Sequence, residues 1–380
     1  MKRIYLLLLL SLGLAFGAIA QNKKITVAEI YQGAFGTETL DALRSMSNGK
    51  QYTLRNANRT NGITTIDRYD YESQLQTGTL FSSKDYPELS GFSEYEFSDD
   101  ESKIVLTTAL EPIYRRSTLG ICYVYDIGTE TLLKVSDTKI QEPKISPKGD
   151  KLAYVSNNNL YMFDLNSGQT VQITTDGEKN KLINGVADWV YEEEFSFVRA
   201  FEWNSDGTKI AFLRFDETLV PEFSMDFYGK ELYPKPIVFK YPKAGEANSV
   251  VTLHLFDTAS GKISDVDLGE AYYIPRIKWM NDPDRLSVQT INRHQNDLKL
   301  LAVNATDNAV SLLLVEKDAA YVDVHDNLTF LEDDRFIWTS EGDGFNHIYL
   351  YGSDGKLQNQ ITKGPWEVTA YYGYDKRKDR

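Results

Sequence analysis

The sequence predicts an all-β protein, a β-propeller, and two observations carry that prediction. Turn and strand segments recur along the chain, and only one segment after the N-terminal leader has helical character. The repeat opens with a turn rich in Asp, Gly, Pro and Asn, followed by a short β-branched or aromatic run and a second run that ends in a polar turn. It reads "FSDDESKIVLTT" from Phe97, "ISPKGDKLAYVS" from Ile145, "WNSDGTKIAFLR" from Trp203 and "WMNDPDRLSVQT" from Trp279, with a weaker copy, "LEDDRFIWTS", from Leu331. Partner segments of another turn type follow, as in "YVYDIGTETLLKVS" from Tyr123 and "YMFDLNSGQTVQIT" from Tyr161. A pair of hairpins cannot bury its own faces, so successive units must stack. The spacing is uneven, and the long interval from Trp203 to Trp279 places an insertion around Phe215 to Asn248. A sandwich or several small β-domains is the competing architecture.

Taken from the N-terminus, Met1-Lys2-Arg3 is basic, Ile4 to Phe16 is apolar, and Ala18-Ile19-Ala20 fits a cleavage site. Residues 1–20 therefore read as a secretory signal peptide and are left out of the fold. No other apolar run approaches the roughly 20 residues that span a bilayer. The expected location is periplasmic or secreted, with no membrane segment after cleavage. "ITVAEIYQGAFGTETLDALRSM", from Ile25 to Met46, is the segment with helical character, placed outside the blades as part of residues 21–46. The propeller is assigned to residues 47–380.

With 42% hydrophobic and 25% charged residues in 380, the chain can bury a sizeable core. Its net charge of -14 argues against a nucleic-acid partner and favours cationic ones, although such a balance is also common on secreted proteins. One cysteine, Cys122, allows no internal disulfide, and between Ile121 and Tyr123 it reads as a buried strand thiol. His254 and His347 fall in predicted strands and His294 and His325 near loops, with no ligand spacing for a metal. No phosphate-binding Gly-rich loop occurs, so no cofactor is expected.

The stretch "DWVYEEEF", from Asp188 to Phe195, sets three consecutive carboxylates directly after an aromatic, apolar run. Together with "FYGKELYPKPIVFKYPKAGEANSVVTLHLFDT" from Phe227, "TSEGDGFNHIYLY" from Thr339 and "TKGPWEVTAYYGYD" from Thr362, it resembles the propeller portion of dipeptidyl peptidase IV, in the prolyl oligopeptidase clan of serine peptidases. The resemblance covers nearly all of the chain after the leader. It implies that the second and third Glu, here Glu193 and Glu194, grip the substrate's free α-ammonium. Several charged acceptors are needed there because the ammonium gives up its hydration. It further implies that Arg115, eleven positions before Asp126, bonds the carbonyl of the substrate's second residue. Arg116 is the competing residue for that role. Trp189 and Tyr191 are expected to pack behind the loop, and Glu192, on an alternating or turn-like backbone, is expected to point outward. Contacts to longer substrates are expected near Tyr321 to His325, without individual assignment.

The same resemblance implies eight blades, of which about six are legible here, and an α/β-hydrolase domain supplying a Ser-His-Asp triad. No G-x-S-x-G occurs in these residues; "GFSEY" from Gly91 lacks the second Gly. The chain therefore reads as the N-terminal part of a peptidase, a truncated gene product or a deliberate fragment, with a closed propeller of fewer blades as the alternative, and it is expected to be inactive alone. The arm at residues 227–248, stiffened by Pro234, Pro236 and Pro242, is expected to join two copies of the complete protein into a homodimer. Two functions follow. The first is the substrate-recognition propeller of a secreted serine dipeptidyl peptidase that releases X-Pro or X-Ala dipeptides from free peptide N-termini. The second is a non-catalytic periplasmic propeller that binds peptides or a protein partner.

Overall fold

The computed structural model describes residues 24–37, 42–58, 60–89, 91–375 and 378. The predicted signal peptide lies outside them. Six sheets of four or five antiparallel strands follow one another along the chain, and they are the blades of the propeller. Blade 1 runs from Arg44–Ser45 to Gln76–Ser82, blade 2 from Glu94–Phe97 to Thr131–Lys134, and blade 3 from Gln141–Ile145 to Thr170–Gln172. Blade 4 spans Leu182–Asn184 to Ile263–Val266, blade 5 Tyr273–Trp279 to Val310–Lys317, and blade 6 Thr329–Phe330 to Leu357–Gln360.

The repeats seen in the sequence are the turns between the first and second strands of each blade. Each is closed by one backbone bond of the same type: Ser98 N–H to Lys103, Ser146 to Lys151, Asn204 to Lys209, Met280 to Arg285 and Leu331 to Arg335, at 2.7–3.0 Å. Gly149 and Gly207 take φ of +71° and +66° in two of these turns, a left-handed conformation that disfavours any residue with a Cβ. The partner hairpins share a second device. Asp126, Asp164 and Asp257 each accept the backbone N–H three residues on, at 2.7–2.9 Å, and these bonds hold all three carboxyls below the ordinary Asp value.

Blades stack because strand residues alternate in direction. In blade 2, Ile104 and Leu106 enter a cluster with Ile66 and Phe81 of blade 1, while Val105 and Cys122 join Leu152 and Phe163 of blade 3. In blade 4, Ile210 and Phe212 meet Val155 and Leu160 of blade 3, while Ala211, Leu213 and Phe215 face the core shared with blades 5 and 6. The first strands are stitched directly. Trp203 Nε1 donates to the Lys144 carbonyl of blade 3 at 3.2 Å, and Trp279 Nε1 to the Glu202 carbonyl of blade 4 at 3.0 Å. Cys122 is buried and free, with burial raising its thiol pKa.

Two short α-helices occur among the described residues. Helix α1, Val27–Tyr31, is closed by a Thr26–Glu29 capping box and leaves Ile25, Val27, Ile30 and Tyr31 exposed. It is much shorter than the helical stretch expected over residues 25–46, within which Arg44–Ser45 is already a strand. Helix α2, Trp189–Glu194, was not expected as a helix. No helix among the described residues is long and apolar enough to cross a membrane. The arm is a two-stranded hairpin, Glu222–Phe227 paired with Lys235–Lys240. It begins five residues earlier than the 227–248 boundary read from the sequence.

Phe212 is fully buried between blades 3 and 4. Phe212→Ala is expected to cost about 3–5 kcal/mol. Equilibrium denaturation followed by tryptophan fluorescence checks this; a loss below about 1 kcal/mol would mean that this blade interface is not packed as described.

Candidate functional site

The site is built on an interruption in the first strand of blade 4. Leu182–Asn184 and Phe201–Trp203 both pair with the strand Lys209–Asp216, the first opposite its end and the second opposite its start. Residues 185–200 loop out between them. The base of this loop is pinned by Ala187 N–H to the Val198 carbonyl at 2.8 Å and Ala200 N–H to the Gly185 carbonyl at 3.0 Å. Helix α2 sits on the loop. Asp188 is its N-cap: one carboxylate oxygen accepts the Tyr191 N–H at 2.8 Å, and the other accepts the Ser249 hydroxyl. An Asp three residues before Tyr191 at the head of an apolar run is a capping signal that the sequence reading did not use.

A six-residue helix is too short to hold itself, and aromatic packing supplies the support. Tyr191 is fully buried among Phe195, Phe197, Phe215 and Tyr273, with its hydroxyl accepting the Ile274 N–H of blade 5 at 3.1 Å. Trp189 is half-buried and turns toward the arm, with ring centroids 4.4 Å from Tyr241 and 6.5 Å from Phe239. Tyr114, on the blade 2 hairpin, reaches the same Phe239 at 6.0 Å.

The helical backbone separates the three glutamates by about 100° each. Glu192 does not point outward as expected; it is fully buried, and its Oε1 accepts the backbone N–H groups of Arg116 at 2.5 Å and Ser117 at 3.0 Å. Helical geometry in place of an alternating strand explains the reversal. Glu193, with 18% of its side chain exposed, accepts two bonds from Arg115 Nε, at 2.8 and 3.0 Å. Arg116, the competing residue, instead donates to the Glu192 carbonyl at 3.3 Å and to Ser196 Oγ at 3.2 Å. Glu194 is exposed and makes no hydrogen bond or salt bridge among the described residues.

The Tyr321 to His325 segment borders the same region. Burial, then Asp323 and Glu194, raise the Tyr321 phenol above its ordinary value, and a cavity of about 340 Å³ is lined by Tyr321, Asp323, His325, Glu316 and Glu341. Beneath α2 lies a second acidic set. Asp188 is pushed up by desolvation, and Glu217 is pushed up to about 7 by burial and by Asp188, with Lys240 opposing. No group of three or more His, Cys, Asp or Glu is placed to hold a metal ion among the described residues.

Comparison with known proteins adds lineage. Residues 98–380 match the family described as "Dipeptidyl peptidase IV (DPP IV) N-terminal region". The chain is 30% identical to dipeptidyl peptidase 4 of Trichophyton tonsurans over 79% of this chain and 40% of that protein. It is 31% identical to a probable dipeptidyl-aminopeptidase B of Arthroderma gypseum over 72% of this chain and 33% of that protein. The crystal structure of Porphyromonas gingivalis dipeptidyl peptidase 4 superposes with a TM-score of 0.85 and 38% identity, over 93% of this chain and 51% of that one. A putative dipeptidyl aminopeptidase IV from Bacteroides ovatus, at 22% identity and a TM-score of 0.68 over 90% of this chain and 49% of that one, shares the fold. The chain thus spans about half or less of the length of these proteins.

The raised Glu217 carboxyl has a measurable consequence. The folded state binds its proton more tightly than the unfolded chain does, so its contribution weakens the fold as pH rises from 4.5 to about 7. Glu217→Gln removes that loss. The melting temperature of the variant relative to wild type is expected to climb between pH 4.5 and 7.5; a constant difference would show that folding does not raise the Glu217 pKa.

Proposed function

The chain belongs to the dipeptidyl peptidase IV N-terminal region family, and on that premise we propose that it is the substrate-recognition propeller of a secreted serine dipeptidyl peptidase. Glu193 and Glu194 receive the free α-ammonium of a peptide, and Arg115 meets the carbonyl of its second residue. The nucleophile comes from the hydrolase domain of the complete protein. The observation that carries this reading is the asymmetry of the two carboxylates: Glu193 is already paired with Arg115, whereas Glu194 has no partner among the described residues. Such a site holds a vacant negative charge at a fixed position beside a guanidinium. An ammonium satisfies the first and a peptide carbonyl the second.

The chemistry also explains the length of the product. An ammonium held at Glu193 and Glu194 fixes the peptide end, so the bond presented to the nucleophile is set by distance, and two residues precede it. A small pocket beside the nucleophile then favours Pro or Ala as the second residue. The arm contributes to assembly. Among the described residues its strands Glu222–Phe227 and Lys235–Lys240 pair only with each other, and Phe227, Tyr228, Leu232 and Tyr233 are exposed near its tip. An apolar hairpin tip with free strand edges is a pairing surface for a second copy.

In the full-length protein, Glu193→Gln with Glu194→Gln is expected to lower kcat/KM on Gly-Pro substrates by about 10²- to 10⁴-fold, the equivalent of two charge-assisted bonds. The same substrates with acetylated N-termini should not turn over. Wild-type activity in the double variant, or turnover of acetylated peptide, removes the ammonium assignment. Deleting residues 227–235 should convert a full-length dimer to a monomer in analytical ultracentrifugation, and an unchanged mass would exclude the arm as the dimer contact.

A further inference from the structure

We propose that Glu192 is a positioning residue, whose buried carboxylate holds the tip of the blade 2 hairpin so that Arg115 stays against Glu193. The inference rests on the reading of Arg115 and Glu193 as substrate groups for its kinetic consequence, but not for the tether itself.

The hairpin joins Lys103–Pro112 to Thr118–Asp126, and its last regular pair is Pro112 with Thr118. Beyond it, residues 113–117 form a tip that crosses from blade 2 to helix α2 on blade 4. Within the tip, Ile113 N–H bonds the Ser117 carbonyl at 2.9 Å, and Tyr114 N–H bonds Ser117 Oγ at 3.2 Å. The N–H groups of Arg116 and Ser117 are turned the other way and share Glu192 Oε1. Arg116 adds its guanidinium contacts to the Glu192 carbonyl and to Ser196.

Two bonds could in principle hold the tip, and their environments decide between them. The Arg115–Glu193 pair is formed by an Arg side chain that is 68% exposed, where water and salt screen the attraction and side-chain motion opposes it. Glu192 is fully buried, and its two bonds run from a charged acceptor to backbone donors that cannot rotate away. The tether therefore lies at Glu192, and the pair at Glu193 is its result. Glu192 Oε2 is buried without a hydrogen-bond partner, an arrangement that stability alone does not favour. Replacing the carboxylate by a group that keeps one acceptor oxygen preserves the tether; removing the acceptor frees the backbone N–H groups of Arg116 and Ser117, the two residues that follow Arg115.

The test compares full-length wild type, Glu192→Gln, Glu192→Ala, Arg115→Ala and the Glu192→Ala/Arg115→Ala double variant by two readouts. The first is limited trypsinolysis at Arg115 and Arg116, because cleavage requires the tip backbone to leave its seat. Glu192→Ala is expected to be cut at this tip roughly tenfold faster than wild type, with Glu192→Gln close to wild type. The second is KM on a Gly-Pro substrate. Glu192→Ala should raise KM by about the same factor as Arg115→Ala, and the double variant should be no worse than Arg115→Ala alone, because the two changes remove one interaction. Unaltered cleavage in Glu192→Ala overturns the tether. Faster cleavage with additive KM effects, or with no KM effect where Arg115→Ala has one, overturns the positioning role. If Arg115→Ala leaves KM unchanged, the substrate role of Arg115 fails while the tether is still decided by trypsin. Glu192→Asp, which retracts the carboxylate by one methylene, serves the same comparison if the alanine variant does not fold.

Discussion

The buried carboxylate of Asp188 is the interaction on which the site depends. It satisfies an N–H of a helix too short to persist alone, and it ties that helix to Ser249, where the chain returns from the arm. The helix carries the glutamates, the arm return re-enters the third strand of blade 4, and the Arg-bearing hairpin arrives from blade 2. All three meet around this one buried carboxyl group. Burial raises its pKa, while hydrogen bonds from Ser249 and from the Tyr191 and Val190 backbone oppose the shift.

The carboxyl groups around that point grade from buried to exposed. Glu192 is fully buried against backbone donors, Asp188 and Glu217 are nearly so, Glu193 keeps 18% of its side chain exposed and pairs with Arg115, and Glu194 is exposed. A run of three glutamates is tolerable because a helix sends consecutive residues to different surroundings. One accepts bonds from backbone amides, one pairs with a guanidinium, and one makes no hydrogen bond or salt bridge among the described residues.

The scaffold makes this grading possible. Blade 4 contributes both insertions, one in its first strand and one between its second and third, and its sheet faces two packed interfaces. Trp189 and Tyr114 both reach Phe239 of the arm, so the recognition elements and the arm share a single aromatic contact zone.

The sequence by itself determined the propeller, because turn chemistry and strand alternation are local: the Asp-Gly turns, the Asp126, Asp164 and Asp257 caps and the alternating apolar faces are written within a few residues of where they act. It also marked the residues of the candidate site, Arg115, Trp189, Tyr191, Glu193 and Glu194, by their resemblance to a known pattern. Tertiary structure alone decided what each of them touches. The helix over Trp189–Glu194 is too short for a periodic signal, its Asp188 cap gains strength only when Ser249 closes over it, and the inward turn of Glu192 requires amides 75 and 76 residues away. Contacts at that separation leave no mark in local pattern, since hydrogen-bond partners are chosen by the packing of blades and not by neighbours in the chain.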